Sequence, residues 1–284
     1  MAVVNNYLEI KSKYYSIMKK LRLKFALLML ISLVTCFVQS CEKEEDWQNV
    51  RHLDRIEIMN NNQVTSYYVF SYDGDKISML EQYVNHKLQS RTEFQYKGSK
   101  MTSWKYYYNY DDGLFAKETV MFEYKGKKIV RAIWKEIDEK GGIVDTVEYK
   151  YSGDKLKEIT YKNWGEDGSE ERRELVWSGD NISRVLFPDF RWNIDYTIYL
   201  DYDNKNNPIR FPMGFVPPNY TIFDDMSCPF LSENNITRIT WYEIGDGYGD
   251  GFYEYTYTYD EEGYPLTRTQ QKYNRKWVYH YCTE

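Results

Sequence analysis

The chain has 284 residues, with 37 Lys and Arg against 43 Asp and Glu, a formal net charge of -6. Residues 1–40 hold six of the bases and one of the acids, so 31 bases face 42 acids in the rest, a balance of -11. That excess of acid argues against gripping nucleic acid or anionic lipid through a general basic field, and 30 Tyr, 8 Trp and 13 Phe point to β structure rather than a helix bundle or a disordered chain.

In chain order, the first element is an address. Lys19, Lys20, Arg22 and Lys24 precede an apolar run from Phe25 to Val38, which is the layout of a secretory signal helix and is short for a permanent membrane span. Met18 stands where a natural start would fall, so residues 1–17 read as an over-extension of the reading frame. Residues 1–40 are therefore expected to be a signal peptide. Val38-Gln39-Ser40-Cys41 resembles the lipobox of bacterial lipoproteins, in which a small residue precedes the Cys that is acylated. The resemblance implies lipidation at Cys41, with Cys36 as the alternative position. Glu42, Lys43, Glu44, Glu45 and Asp46 follow, so residues 41–50 read as an acidic tether, similar to the surface-export signal of Bacteroidetes lipoproteins.

The strongest pattern is an internal repeat in residues 51–284. YDGDKI starts at Tyr72, YKGSKM at Tyr96, YKGKKI at Tyr124, YSGDKL at Tyr151 and WSGDNI at Trp177, with looser copies at Tyr202 and Tyr259. The first six starts are 24, 28, 27, 26 and 25 residues apart. Each copy reads as a hairpin. Val64 to Tyr72 alternates in period two, Asp73-Gly74-Asp75 reverses the chain, and Ile77 to Val84 returns. Seven copies predict about 14 strands in an all-β, antiparallel up-and-down meander, curled into a barrel-like or strongly twisted sheet. In Lys117–Tyr124 the residues Val120, Phe122 and Tyr124 share one face, whereas Met101–Tyr110 puts aromatics on both. Charges such as Lys105, Arg131, Lys135 and Glu136 run through the strands, so the wall is not expected to sit in lipid.

Five of the seven prolines fall between residues 208 and 229, where the repeat spacing jumps to 57. Proline cannot donate to a sheet ladder, so 208–233 reads as a proline-rich insertion, apolar through Phe211, Met213, Phe215, Tyr220 and Phe223. It would either cap an open end of the meander or bind a ligand. Cys228 and Cys282 form an even pair in an exported chain, either a disulfide worth roughly 4 kcal/mol or two free thiols.

The turn copies look like YD-type repeats. The stretch from Tyr202-Asp203-Asn204-Lys205-Asn206-Asn207-Pro208 through Asn234-Asn235-Ile236-Thr237 to Tyr259-Asp260-Glu261-Glu262-Gly263-Tyr264-Pro265 is similar to an uncharacterised Bacteroidetes lipoprotein family, domain of unknown function 4595. That resemblance spans roughly residues 50–284 and implies a porin-like fold, with no activity, substrate or catalytic residue attached.

Chemistry is sparse. His52, His86 and His280 have no metal-ligand spacing, and HExxH, GxSxG and P-loop patterns are missing. Asp201, Asp203 and Asn206 loosely resemble a calcium loop, but Lys205 takes a ligand position. No cofactor or metal is expected. The reading is a non-enzymatic, lipid-anchored outer-membrane protein, surface-exposed or else periplasmic, that binds a glycan or a protein partner. Phe211, Phe215, Tyr220 and Trp241 are the candidate contacts. The alternative is a purely structural envelope protein, and a hydrolase comes last.

Overall fold

A two-residue reversal around Gly74 generates the architecture. In the computed structural model Asp73 pairs with Lys76, leaving Gly74 and Asp75 at the tip, and Gly74 has φ +58°. Only the first central residue is left-handed, the arrangement of a type II′ turn that suits the twist of a hairpin. The register then slips: Tyr72 faces Ile77 but Ser71 faces Met79, so Ser78 stands unopposed as a bulge. The same turn and bulge recur behind Gly98, Gly126, Gly153 and Gly179, with Thr102, Val130, Lys157 and Ser183 as the extra residues. A bulge adds right-handed twist, and five of them at one end curl the sheet in one direction.

The described residues are 51–110, 113–137, 144–164, 169–187, 195–209, 231–244 and 250–282, all within one unit, Val50–Glu284. The strands are β1 (Leu53–Asn60), β2 (Gln63–Asp73), β3 (Lys76–Val84), β4 (Lys87–Lys97), β5 (Lys100–Tyr110) and β6 (Gly113–Lys125). Then come β7 (Lys128–Glu136), β8 (Val144–Ser152), β9 (Lys155–Trp164), β10 (Ser169–Ser178), β11 (Asn181–Phe187) and β12 (Asp195–Asn206). β13 (Asn234–Ile244), β14 (Gly251–Glu254), β15 (Thr256–Tyr259), β16 (Pro265–Gln270) and β17 (Arg275–Tyr281) complete the set. All 17 belong to one sheet in which every resolved pairing is antiparallel, and β1 pairs with both β2 and β17. Tyr255 alone separates β14, which pairs with β13, from β15, which pairs with β16. These two are halves of one passage, so the ring has an even number of passages, as antiparallel closure requires.

The expected all-β meander is what forms. The seven motif copies account for β2 to β16, as the spacing predicts. The additional strands are β1 and β17, which flank the copies without carrying the motif. They close the ring on each other, with Ile56 opposite Tyr279 and Ile58 opposite Trp277. At the other end of the strands, Asn61-Asn62 and Asn85-His86 have positive φ at both central positions, the type I′ solution to a two-residue loop.

One face of every strand supplies the core. Ile56, Ile159 and Ile182 are fully buried, and Tyr68, Trp104, Ile129, Ile198 and Trp277 nearly so. Val120, Phe122 and Tyr124 share that face, as their alternation predicts, while Met121 is exposed. The opposite face carries ion pairs: Glu81–Arg91 at 2.7 Å, Lys150–Glu158 at 2.6 Å, Lys162–Glu148 at 3.0 Å and Arg131–Glu123 at 3.2 Å. Such a wall belongs in water rather than in hydrocarbon.

The structure also explains the two repeat positions that are not turn residues. In three copies the Lys reaches across to the next hairpin. Lys100 Nζ donates to Gly126 O (2.5 Å) and lies 5.2 Å from the centre of the Tyr124 ring; Lys128 does the same to Gly153 O (2.6 Å) and Tyr151 (5.6 Å). Lys155 repeats this on Gly179 O and Trp177. The aromatic of three copies reaches back: Tyr124 OH donates to Met101 O (2.7 Å), Trp177 Nε1 to Leu156 O (2.6 Å) and Tyr202 OH to Ile182 O (2.7 Å). The motif is therefore a rim ladder that ties successive hairpins together from β4–β5 to β12–β13.

Candidate binding face

Register places four side chains in one outward row across β11 to β14: Arg184 faces Tyr199, Tyr199 faces Thr240, and Thr240 faces Phe252. Ile198 and Leu200 are buried on the other face, so the pleat turns Tyr199 outward. Tyr242, two residues on from Thr240, projects from the same side. Tyr199, Tyr242 and Phe252 are 41%, 47% and 48% exposed. Tyr199 and Tyr242 meet edge to face at 5.5 Å, while Arg184 and Arg238 lie over the Tyr199 and Phe252 rings at 5.9 and 4.7 Å. Glu254 holds Arg238 at 3.3 Å. The result is a half-wet aromatic strip edged by guanidinium, carboxylate and hydroxyl groups, a chemistry able to stack on a sugar ring and bond its hydroxyls.

Of the contacts expected from sequence, Phe211, Phe215 and Tyr220 lie outside the described residues, as do Cys41 and Cys228. Cys282 follows β17 and is exposed. Trp241 points to the opposite side from Tyr242. It faces Gly251 in register, packs against the core and meets Tyr253 at 4.8 Å. A Cβ at Gly251 would stand 2.2 Å from Trp241 Cζ2, so the glycine exists to admit the indole. Gly251→Ala is expected to destabilise the barrel by about 2 kcal/mol in chemical denaturation, and adding Trp241→Leu should recover part of the loss.

Sequence reasoning missed Tyr199, Tyr242 and Phe252. For Tyr199 the signal was present in the flanking Ile198 and Leu200; for Tyr242 the adjacent Trp241 made the parity ambiguous.

Two polar constellations lie elsewhere. Asp203 Oδ1 accepts the backbone N–H groups of Lys205 (2.9 Å) and Asn235 (3.1 Å), and Oδ2 accepts the Tyr259 hydroxyl. The carboxylate that suggested a calcium loop thus knits the YDNKNNP, NNIT and YDEEGYP segments together. On the inward face Glu118 stands opposite Glu136, with Asp145 opposite Trp134 on the next strand. Glu118 is 7% exposed and its Oε2 has no hydrogen-bond partner among the described residues. Burial pushes its pKa up to about 7, with Lys117 opposing and Glu136 reinforcing the shift. Burial and Glu136 likewise raise that of Asp145.

No family model matches the chain, and no curated protein does. Among solved structures the chain is similar to a porin-like protein of Bacteroides uniformis, at 15% identity and a TM-score of 0.50 over 81% of this chain and 96% of that one. It is also similar to a porin-like protein of Bacteroides vulgatus, at 13% identity and a TM-score of 0.51 over 82% and 100%. At these identities the likeness is one of fold, and the fold is the porin-like barrel that the C-terminal motifs imply.

Proposed function

We propose that this is a non-enzymatic, lipid-anchored protein of the cell envelope that binds a glycan through the aromatic strip on β11 to β14. The observation that carries the reading is the group of three half-exposed rings, Tyr199, Tyr242 and Phe252, on three adjacent strands with Arg184 and Arg238 lying over two of them. Lone exposed aromatics are ordinary, but three on adjacent strands, edged by hydrogen-bonding groups, form a platform. A glycan array should find a ligand for the wild-type protein, and Tyr242→Ala or Phe252→Ala should each weaken it about tenfold while the melting temperature hardly moves. Loss of the platform without loss of binding would remove this face from the account. Mass spectrometry of the protein isolated from its own envelope should find Cys41 acylated and residues 1–40 gone.

A purely structural role is the second reading. What favours it is the rim ladder, which uses the recurring Lys and aromatic positions for cohesion. A protein that binds nothing on the array and captures no envelope protein would be read this way.

A further inference from the structure

We infer that the glycine-turn end of the barrel carries a local basic sector that rests against an anionic membrane surface. The tips joining β4 to β5 and β6 to β7 read Lys97-Gly98-Ser99-Lys100 and Lys125-Gly126-Lys127-Lys128, five lysines and no acid. These tips touch, because Lys100 Nζ bonds Gly126 O. Lys97, Lys125 and Lys127 are exposed. Lys128 pairs with Asp154 at 2.9 Å. In a chain of net charge -6 such a concentration is local, and the flanking tips carry acids, Asp73 and Asp75 on one side and Asp154 on the other.

The arrangement works against stability, which separates it from the rim ladder. Lys97 faces Lys100 directly, and Lys125 faces Lys128. Like charges directly opposed across a hairpin destabilise it. The ladder does not need them: in the equivalent hairpins Lys76 faces Asp73 and Lys155 faces Ser152. Two adjacent tips therefore hold a repulsive pair that an external anion would relieve.

The way the chain enters the barrel names the partner. Residues 51–53 lie at this same end: Leu53 pairs with Tyr281, His52 stacks on Tyr72 at 4.3 Å beside the first turn, and Arg51 bonds Asp260 at 2.7 Å. Only the β2–β3 tip separates the chain entry from the basic sector around the ring. On the anchored reading above, Cys41 lies ten residues before Arg51, so a lipid there holds this end towards the headgroups. The inference rests on that reading for orientation only, since attraction to phosphate needs no anchor.

The test uses residues 50–284, which contain every described strand and the whole described core, co-sedimented with vesicles containing one-quarter phosphatidylglycerol or with neutral phosphatidylcholine vesicles. The wild-type barrel should bind the anionic vesicles, release at high salt and ignore the neutral ones. Lys97→Glu/Lys125→Glu/Lys127→Glu should weaken binding by on the order of a hundredfold, at roughly a factor of five for each of the three lysines, and should not lower the melting temperature because it converts repulsive pairs into attractive ones. Lys87→Glu/Lys105→Glu/Lys272→Glu changes net charge equally away from this end and should bind as wild type does. Equal binding by the two triple variants, binding to neutral vesicles, or binding of soluble polyphosphate but not of vesicles would each overturn the inference. An unacylated Cys41 would sink the anchor and leave the vesicle result standing.

Discussion

Glu118→Gln should raise the stability of the barrel near pH 8 by on the order of 3 kcal/mol and leave it almost unchanged near pH 4. Glu118 sits among Trp104, Val120 and Tyr106 on the inward face and is nearly enclosed. The groups around it are the Tyr106 phenol on β5, Glu136 on β7 and, one position along its own strand, Lys117. Its pKa is near 4.5 when unfolded and about 7 when folded, so the folded state holds the proton more tightly. The stabilisation from the protonated form is fully present below about pH 4.5 and disappears as the pH rises through 7. Gln imitates the protonated acid at every pH, so the variant loses this component of the pH dependence. Urea unfolding at several pH values reads the effect directly, and near pH 8 the gain corresponds to a rise of roughly 6–12 °C in melting temperature. Wild-type stability that is flat between pH 4 and pH 8, or a variant destabilised at both, would show that Glu118 has a partner that neutralises it.

The opposite sign is expected at the seam. Trp277 is 2% exposed on β17, where it faces Ile58 of β1 and Arg268 of β16. The Arg268 guanidinium, buried at 5% exposure, lies 3.9 Å from the Trp277 ring centre and 4.2 Å from that of Tyr255. Trp277→Ala removes a large buried side chain and one of the two rings that shelter the cation, so a loss of about 4 kcal/mol is expected. Trp277→Phe keeps the ring face over Arg268 and should cost less than half as much. Because the seam is the last pairing around the ring, amide exchange should accelerate first in β1 and β17. A loss below about 1 kcal/mol, or acceleration confined to other strands, would mean that β1–β17 pairing does not depend on this residue. A double-mutant cycle with Arg268→Met separates the stacking from the packing.

Much of this was legible in the chain because it depends on near neighbours. Asp73-Gly74-Asp75 reads as a reversal whatever surrounds it, since a positive φ at the first tip residue costs least for glycine. The even spacing of Tyr72, Tyr96, Tyr124, Tyr151 and Trp177 likewise implies stacked hairpins, and the alternation of Val120, Phe122 and Tyr124 names the inward face of β6. The polar wall follows from charges such as Lys105 and Arg131 scattered through the strands.

Other features depend on what stands opposite, which no local pattern reports. That β1 meets β17 is decided by accumulated bulge twist bringing residues 53 and 281 together across the whole chain. The hydroxyl of Tyr202 finds Ile182 O about twenty positions back, so the recurring aromatic had a purpose that its spacing alone did not disclose. Tyr199 and Phe252 become one strip only through the shared partner Thr240, and Glu118 meets Glu136 only through register. The sequence by itself determined hairpins, their number and their polar exterior, because turns and alternation are short-range physics. The tertiary structure decided closure, the aromatic face and the shifted carboxylate, because each needs side chains from separate strands brought within a few ångströms, where burial and like charge first begin to act.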